Sequence, residues 1–129
     1  MFRGKCDDKW HFGDLLHAFY DNELVIEERD IRGCIIRNRI VPATVGQFTG
    51  LLDSNGKEIY EGDILRFAPP WRWVEDERRI GVVVYKYFAF EVKYDDKFVG
   101  IFNLAANEAP YTIIGNVYDN PQLLEAAHD

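Results

Sequence analysis

Apolar runs in this chain are short, and turn residues interrupt them about every ten positions. That punctuation constrains the fold more than any other feature, because it favours strands over long helices. The strongest reversal is Asp53-Ser54-Asn55-Gly56. Asn-Gly tolerates the positive φ angles that tight hairpins demand. Val45 to Leu52 precedes it as an extended run, and Ile59-Tyr60 resumes after it. Glu61-Gly62-Asp63 marks a second turn, followed by a short strand from Ile64 to Phe67.

Ile80 to Tyr94 is the clearest extended segment. Phe88, Phe90, Val92 and Tyr94 alternate with Ala89, Glu91 and Lys93, the period of a half-buried strand. Val82-Val83-Val84 reads as buried on both faces. Asp95-Asp96 predicts a turn, Phe98 to Leu104 a returning strand and Tyr111 to Val117 a last one. Towards the N-terminus, Trp10 to Leu16 and Phe19 to Ile26 read as strands, the second broken by Asp21-Asn22. Ile31 to Ile36 and Arg39 to Ala43 follow, with a turn expected at Arg37-Asn38. Ala68-Pro69-Pro70 ends a strand, since proline donates no backbone hydrogen bond. Residues 69–79 then read as an exposed loop. Near the C-terminus Asn120 can cap a short helix whose first residue is Pro121, with Leu123 and Leu124 holding it against a sheet. The sum is a mainly β protein, a barrel or a sandwich.

The chain has 129 residues. That suffices to bury roughly two thirds of the unfolded surface without a disulfide staple. Cys6 and Cys34 form neither a framework nor a CxxC pair, so they read as free thiols in a reducing compartment. Charges interrupt every apolar window of the first residues, so no signal peptide is expected. No run approaches the ~20 apolar residues of a membrane span. A cytoplasmic protein is the expectation. Net charge is −7, with 8 basic against 14 acidic side chains in residues 42–129. That balance disfavours nucleic acid, whose binding draws on Lys and Arg displacing counterions.

Two passages carry a family resemblance. Gln47 to Phe67 reads QFTGLLDSNGKEIYEGDILRF, and Ile113 to Glu125 reads IIGNVYDNPQLLE. Together they resemble the YopX family, found largely in bacteriophages and prophages. The opening Phe2-Arg3-Gly4-Lys5 and the later Trp10 to Leu15 are similar to family members that begin with a short β region. The resemblance implies a single domain over residues 1–129 of phage or prophage origin. It implies an N-terminal β region over 1–43 and an SH3-like barrel with a C-terminal helix over 44–129. It supplies no activity and no catalytic residues, so function stays unknown on this ground. The signature residues Gln47, Thr49, Gly50, Asp53, Gly56, Glu61, Gly62, Asp63, Gly115, Asn116, Asn120 and Pro121 also have a plain physical reading. The glycines supply turn geometry or close approach, and Asp53 and Asp63 accept local backbone hydrogen bonds.

The chemistry-bearing residues form no recognisable catalytic pattern. His11, His17 and His128 lack metal-ligand spacing, and Asp7-Asp8, Glu27-Glu28 and Asp95-Asp96 are adjacent pairs that a strand would point apart. No nucleophile elbow or phosphate loop is present. A non-enzyme without metal or cofactor is expected. The sharpest candidate surface is Trp71, Arg72 and Trp73, with Arg78 and Arg79. Trp and Arg dominate binding hot spots, although both tryptophans could instead fold back on a barrel rim. Exposed, the loop favours a protein over nucleic acid, because Glu75, Asp76 and Glu77 follow at once. A binding or assembly module, partnered by its own copies or by a host or phage protein, is the leading expectation. A nucleic-acid-binding accessory protein and an acidic DNA-mimic inhibitor are the alternatives.

Overall fold

Turn chemistry decides where the strands of this protein end. The computed structural model describes residues 1–17, 23–68, 78–106 and 110–126. Two compact units divide the chain, Met1–Phe48 and Thr49–Asp129. The protein is mainly β, with two antiparallel sheets and a short C-terminal helix.

In the first unit, β1 (Phe2–Cys6), β2 (Lys9–His17), β3 (Leu24–Arg29) and β4 (Ile35–Arg39) form successive antiparallel pairs. A 3-10 turn at Pro42–Thr44 leads into β5 (Gly46–Leu52), whose first residues pair with β1. Asp7 and Asp8, both at positive φ, turn β1 into β2. Ile26 and Ile40 are the buried apolar centre. The turn expected at Arg37-Asn38 lies elsewhere, because β4 runs straight through it. The chain reverses at Asp30 to Cys34 instead. Asp30 Oδ1 accepts the N–H groups of Arg32 at 2.9 Å and Cys34 at 2.8 Å, and Gly33 takes φ +83°. A carboxylate that gathers two amides fixes a reversal more firmly than Asn38, which is engaged across the sheet.

In the second unit follow β6 (Glu58–Tyr60), β7 (Asp63–Phe67), β8 (Arg79–Lys86), β9 (Ala89–Tyr94), β10 (Lys97–Gly100), α1 (Ile101–Ala105), β11 (Tyr111–Asn116) and α2 (Gln122–Ala126). The five-stranded sheet runs β10-β9-β8-β7-β11. Its core joins Leu65, Phe67, Val83, Val92 and Tyr94 to Ile101 and Leu104 of α1. The Phe67 and Tyr94 rings meet edge to face at 5.1 Å. Two expectations need correction here. The segment Ile80 to Tyr94 is a hairpin, reversing at Tyr87-Phe88. The strand expected over Phe98 to Leu104 ends at Gly100, and α1 takes over. Ile101 and Leu104 stand three apart and are both buried, which a helix achieves and a strand does not.

The reversal at Asp53 holds distant parts of this unit together. Asp53, 6% exposed, accepts the N–H groups of Asn55 and Lys57 on Oδ1, both at 2.9 Å. Its Oδ2 accepts the N–H of Ile113 in β11, also at 2.9 Å. Ser54 and Tyr111 exchange a second pair of bonds beside it. Hydrogen bonds to a charged group contribute about 1.5–3 kcal/mol each. Asp53→Ala is therefore expected to lower stability by at least ~3 kcal/mol, read as a fall in urea midpoint. Asp14→Ala, at an exposed position, should stay within about 0.5 kcal/mol. Equal effects would show that the carboxylate is not a structural tie.

Burial raises the Tyr94 phenol above its ordinary 10.0, with Arg79 pulling it down and Asp95 adding to the rise. The unfolded chain loses this proton near its ordinary value while the folded chain keeps it. Stability from this group is thus whole below about pH 10 and drains as pH climbs through the folded value. Tyr94→Phe is expected to narrow the stability difference between about pH 9 and pH 11 relative to the parent. An unchanged difference would remove Tyr94 from the alkaline transition.

Candidate functional site

Trp71, Arg72 and Trp73 lie outside the described residues, so that candidate surface is represented by Arg78 and Arg79 alone. Both are half-buried, Arg78 just before β8 and Arg79 as its first residue. Arg79 Nε lies 3.8 Å from Asp95 Oδ2, and its backbone stands opposite Phe67. The signature residues occupy turns and strand joints. The Thr49 hydroxyl donates to the Ile59 carbonyl at 2.8 Å, and Asp63 Oδ2 accepts the Tyr60 N–H at 2.8 Å. Gly62 donates to Val83 and accepts from Val117, with Glu61 beside it in the turn. Asn116 Oδ1 accepts the N–H groups of Tyr118 and Asp119. A side chain on Gly115 would meet Asn120 Oδ1 at 2.6 Å. That oxygen accepts the Asn116 N–H at 3.2 Å, closing the turn before Pro121 and α2. Gln47 is exposed opposite Phe2, and Gly50 sits within β5.

In the first unit, His11, Glu28 and Asn38 meet across β2, β3 and β4. His11 Nδ1 lies 3.2 Å from Glu28 Oε2 and 3.2 Å from Asn38 Nδ2. Glu28 Oε1 also accepts the Phe12 N–H at 3.0 Å. The members satisfy one another across three strands and so brace the sheet. On the opposite face the Arg3 guanidinium lies 4.6 Å from the Trp10 ring centroid, with Lys5 at 5.5 Å. Two cations of the chain itself therefore already engage this indole. Cys6 and Cys34 are free thiols. Among the described residues, no three His, Cys, Asp or Glu side chains converge to hold a metal ion. No helix among them is long and apolar enough to cross a membrane.

The feature that sequence reasoning missed is the tip of the β8–β9 hairpin. Tyr87 and Phe88 take φ +49° and +66° and are 83% and 94% exposed. Left-handed backbone costs an L-residue roughly 1–2 kcal/mol, and two-residue turns of this kind favour Asn and Gly. Among the described residues, the two other such reversals, Asp7-Asp8 and Asp95-Asp96, use aspartate, whose short polar side chain tolerates the geometry. Tyr-Phe brings no such relief and places two apolar rings in water. Lys86 flanks them, its Nζ 3.7 Å from the Phe98 ring centroid and 5.2 Å from that of Tyr87. On the other face Tyr85 and Phe90 brace the hairpin edge to face at 5.1 Å. Backbone strain and exposed aromatic rings thus coincide at this one tip.

A family model described as YopX protein matches residues 3–125. Two solved structures share the fold. Protein EF1440 from Enterococcus faecalis is 23% identical with a TM-score of 0.56, the match covering 95% of this chain and 96% of that one. Protein YopX from Bacillus subtilis is 16% identical with a TM-score of 0.57 and the same coverage. No curated protein matches the chain.

Replacing the tip by a relaxed turn separates strain from packing. Tyr87→Asn with Phe88→Gly is expected to raise stability by about 1–2 kcal/mol, measured as the urea midpoint. A fall in stability would mean that the rings support the fold.

Proposed function

This chain belongs to the YopX family, and on that premise we propose that it is a non-enzymatic binding and assembly module. The observation that supports the reading is the strained, exposed Tyr87-Phe88 tip. A rigid aromatic knob beside one cation serves recognition of an apolar hollow on a protein. A phage or prophage origin, a cytoplasmic setting and an SH3-like closure of the C-terminal unit belong to the same proposal. The origin and the closure draw on the sequence blocks around Asp53 and Asn116, and the setting on the unpaired thiols Cys6 and Cys34. The partner is a second copy of the chain or a host or phage protein.

Nucleic acid ranks below protein as a partner. Net charge is −7, and the Trp10 face already carries Arg3 and Lys5. The DNA-mimic reading loses ground for a different reason. Asp53 and Asp63 are buried and spend their carboxylates on backbone amides. They are not part of a solvent-facing acidic stripe.

The reading is tested by capture from a bacterial host extract with the tagged full chain. The tip variant Tyr87→Asn/Phe88→Gly and the loop variant Trp71→Ala/Trp73→Ala run beside it. Expected is a retained protein whose recovery drops at least tenfold with the tip variant, at unchanged circular dichroism. Equal recovery from parent and tip variant would take recognition away from the hairpin. A drop with the loop variant alone would move it to residues 71–73.

A further inference from the structure

The β8–β9 hairpin carries two complementary features at its opposite ends. One end is the tip, Tyr87 and Phe88, with Lys86 beside them. Near the other end lies a hollow of about 220 Å³. Its apolar floor is Ile80 and Val82 of β8 with Leu124 of α2, and its rim carries Lys93, Asp95 and Asp96. A cavity of about 150 Å³ lined by apolar groups accommodates a benzene ring. The hollow is thus large enough for one aromatic side chain.

We propose that the aromatic tip of one copy inserts into this hollow of a second copy, head to tail. This rests on the assembly reading above and names its partner. Charge supports the choice of occupant. Among the described residues Lys86 meets aromatic rings and no carboxylate, and Asp96 meets no cation. Inserting the tip brings that ammonium to the carboxylates of the rim. Lys93 on the same rim, its Nζ 6.0 Å from the Phe98 ring centroid of its own copy, adds a cation beside which an aromatic ring can settle. The contact cannot close within one chain. Strands rise about 3.3 Å per residue, so five to seven residues of β8 and β9 hold tip and hollow about 20 Å apart. A contact of unlike surfaces is heterologous. It generates a ring when the rotation closes and an open filament when it does not.

The experiment uses sedimentation velocity on the full chain across a concentration series. The parent is expected to sediment faster as concentration rises. The tip variant Tyr87→Asn/Phe88→Gly and the hollow variant Val82→Arg are each expected to remain monomeric. Leu124→Arg stands in should Val82→Arg fail to fold. The decisive sample is their equimolar mixture. A tip-less copy keeps its hollow and a hollow-blocked copy keeps its tip, so the mixture forms a dimer and nothing larger. Charge reversal gives a second arm: Lys86→Glu and Asp96→Lys each weaken association at least tenfold, and mixing the two restores it. A parent that stays monomeric to about 1 mM, a tip variant that assembles like the parent, or a mixture that stays monomeric overturns the inference. A monomeric parent whose tip variant still loses a captured host protein sinks the second-copy contact alone. Loss of neither sinks the binding reading as well.

Discussion

The Asp53 carboxylate holds three backbone N–H groups from two stretches 60 residues apart in the chain. Two of them close the turn that Asn55 and Gly56 make possible. The third belongs to Ile113 and fixes where β11 lies against that turn. A carboxylate buried this deeply is tolerated only because its acceptor sites are filled. The two matched blocks of sequence are therefore one structural joint. Gly62 forms a second joint of the same kind, linking the turn before β7 to Val83 on one side and to Val117 on the other. Sheet edges and loop starts in this unit are thus tied by polar turns, while Phe67, Val92 and Ile101 fill the space between.

What the sequence revealed was the chemistry of local reversals. Asp53 to Gly56, Glu61 to Asp63 and Asp95-Asp96 were legible because Gly, Asn and Asp announce left-handed or carboxylate-bonded backbone. The C-terminal helix was legible from proline at its start. The reversal at Asp30 to Cys34 escaped because Arg37-Asn38 offers a similar composition seven residues on. Only the paired strands show which side chain gathers the amides. α1 escaped for another reason. The run from Phe98 to Leu104 is short and apolar almost throughout, so its period does not choose, and burial of both Ile101 and Leu104 with β9 and β10 decides for the helix.

The hairpin tip was hidden by the residues that make it notable. Tyr and Phe favour strands, so Tyr85 to Phe90 reads as uninterrupted β. Length was the available signal. Fifteen residues from Ile80 to Tyr94 exceed the usual 3–10 of a strand, so the run had to turn somewhere. Nothing in the pattern says where, since neither residue at the reversal is a turn former. The cross-strand register fixes it, with Tyr85 opposite Phe90 and Lys86 opposite Ala89.

A two-residue turn has a consequence that a longer aromatic loop would lack. Its ends are held by strand pairing on both sides, so the backbone under Tyr87 and Phe88 is already ordered before any partner arrives. Each ring has only two rotatable bonds to fix on binding. Ordering a flexible loop would subtract roughly 1–2 kcal/mol per residue from the affinity, and here that loss is avoided. The strain of the left-handed turn is carried by the folded chain whether or not a partner is bound, so it weakens the fold and leaves the affinity intact. Asp7-Asp8 and Asp95-Asp96 show that the same fold makes such turns from polar residues. The Tyr-Phe pair exchanges stability for a preformed apolar knob, and covering it in the proposed contact would recover the hydrophobic term that solvent exposure withholds.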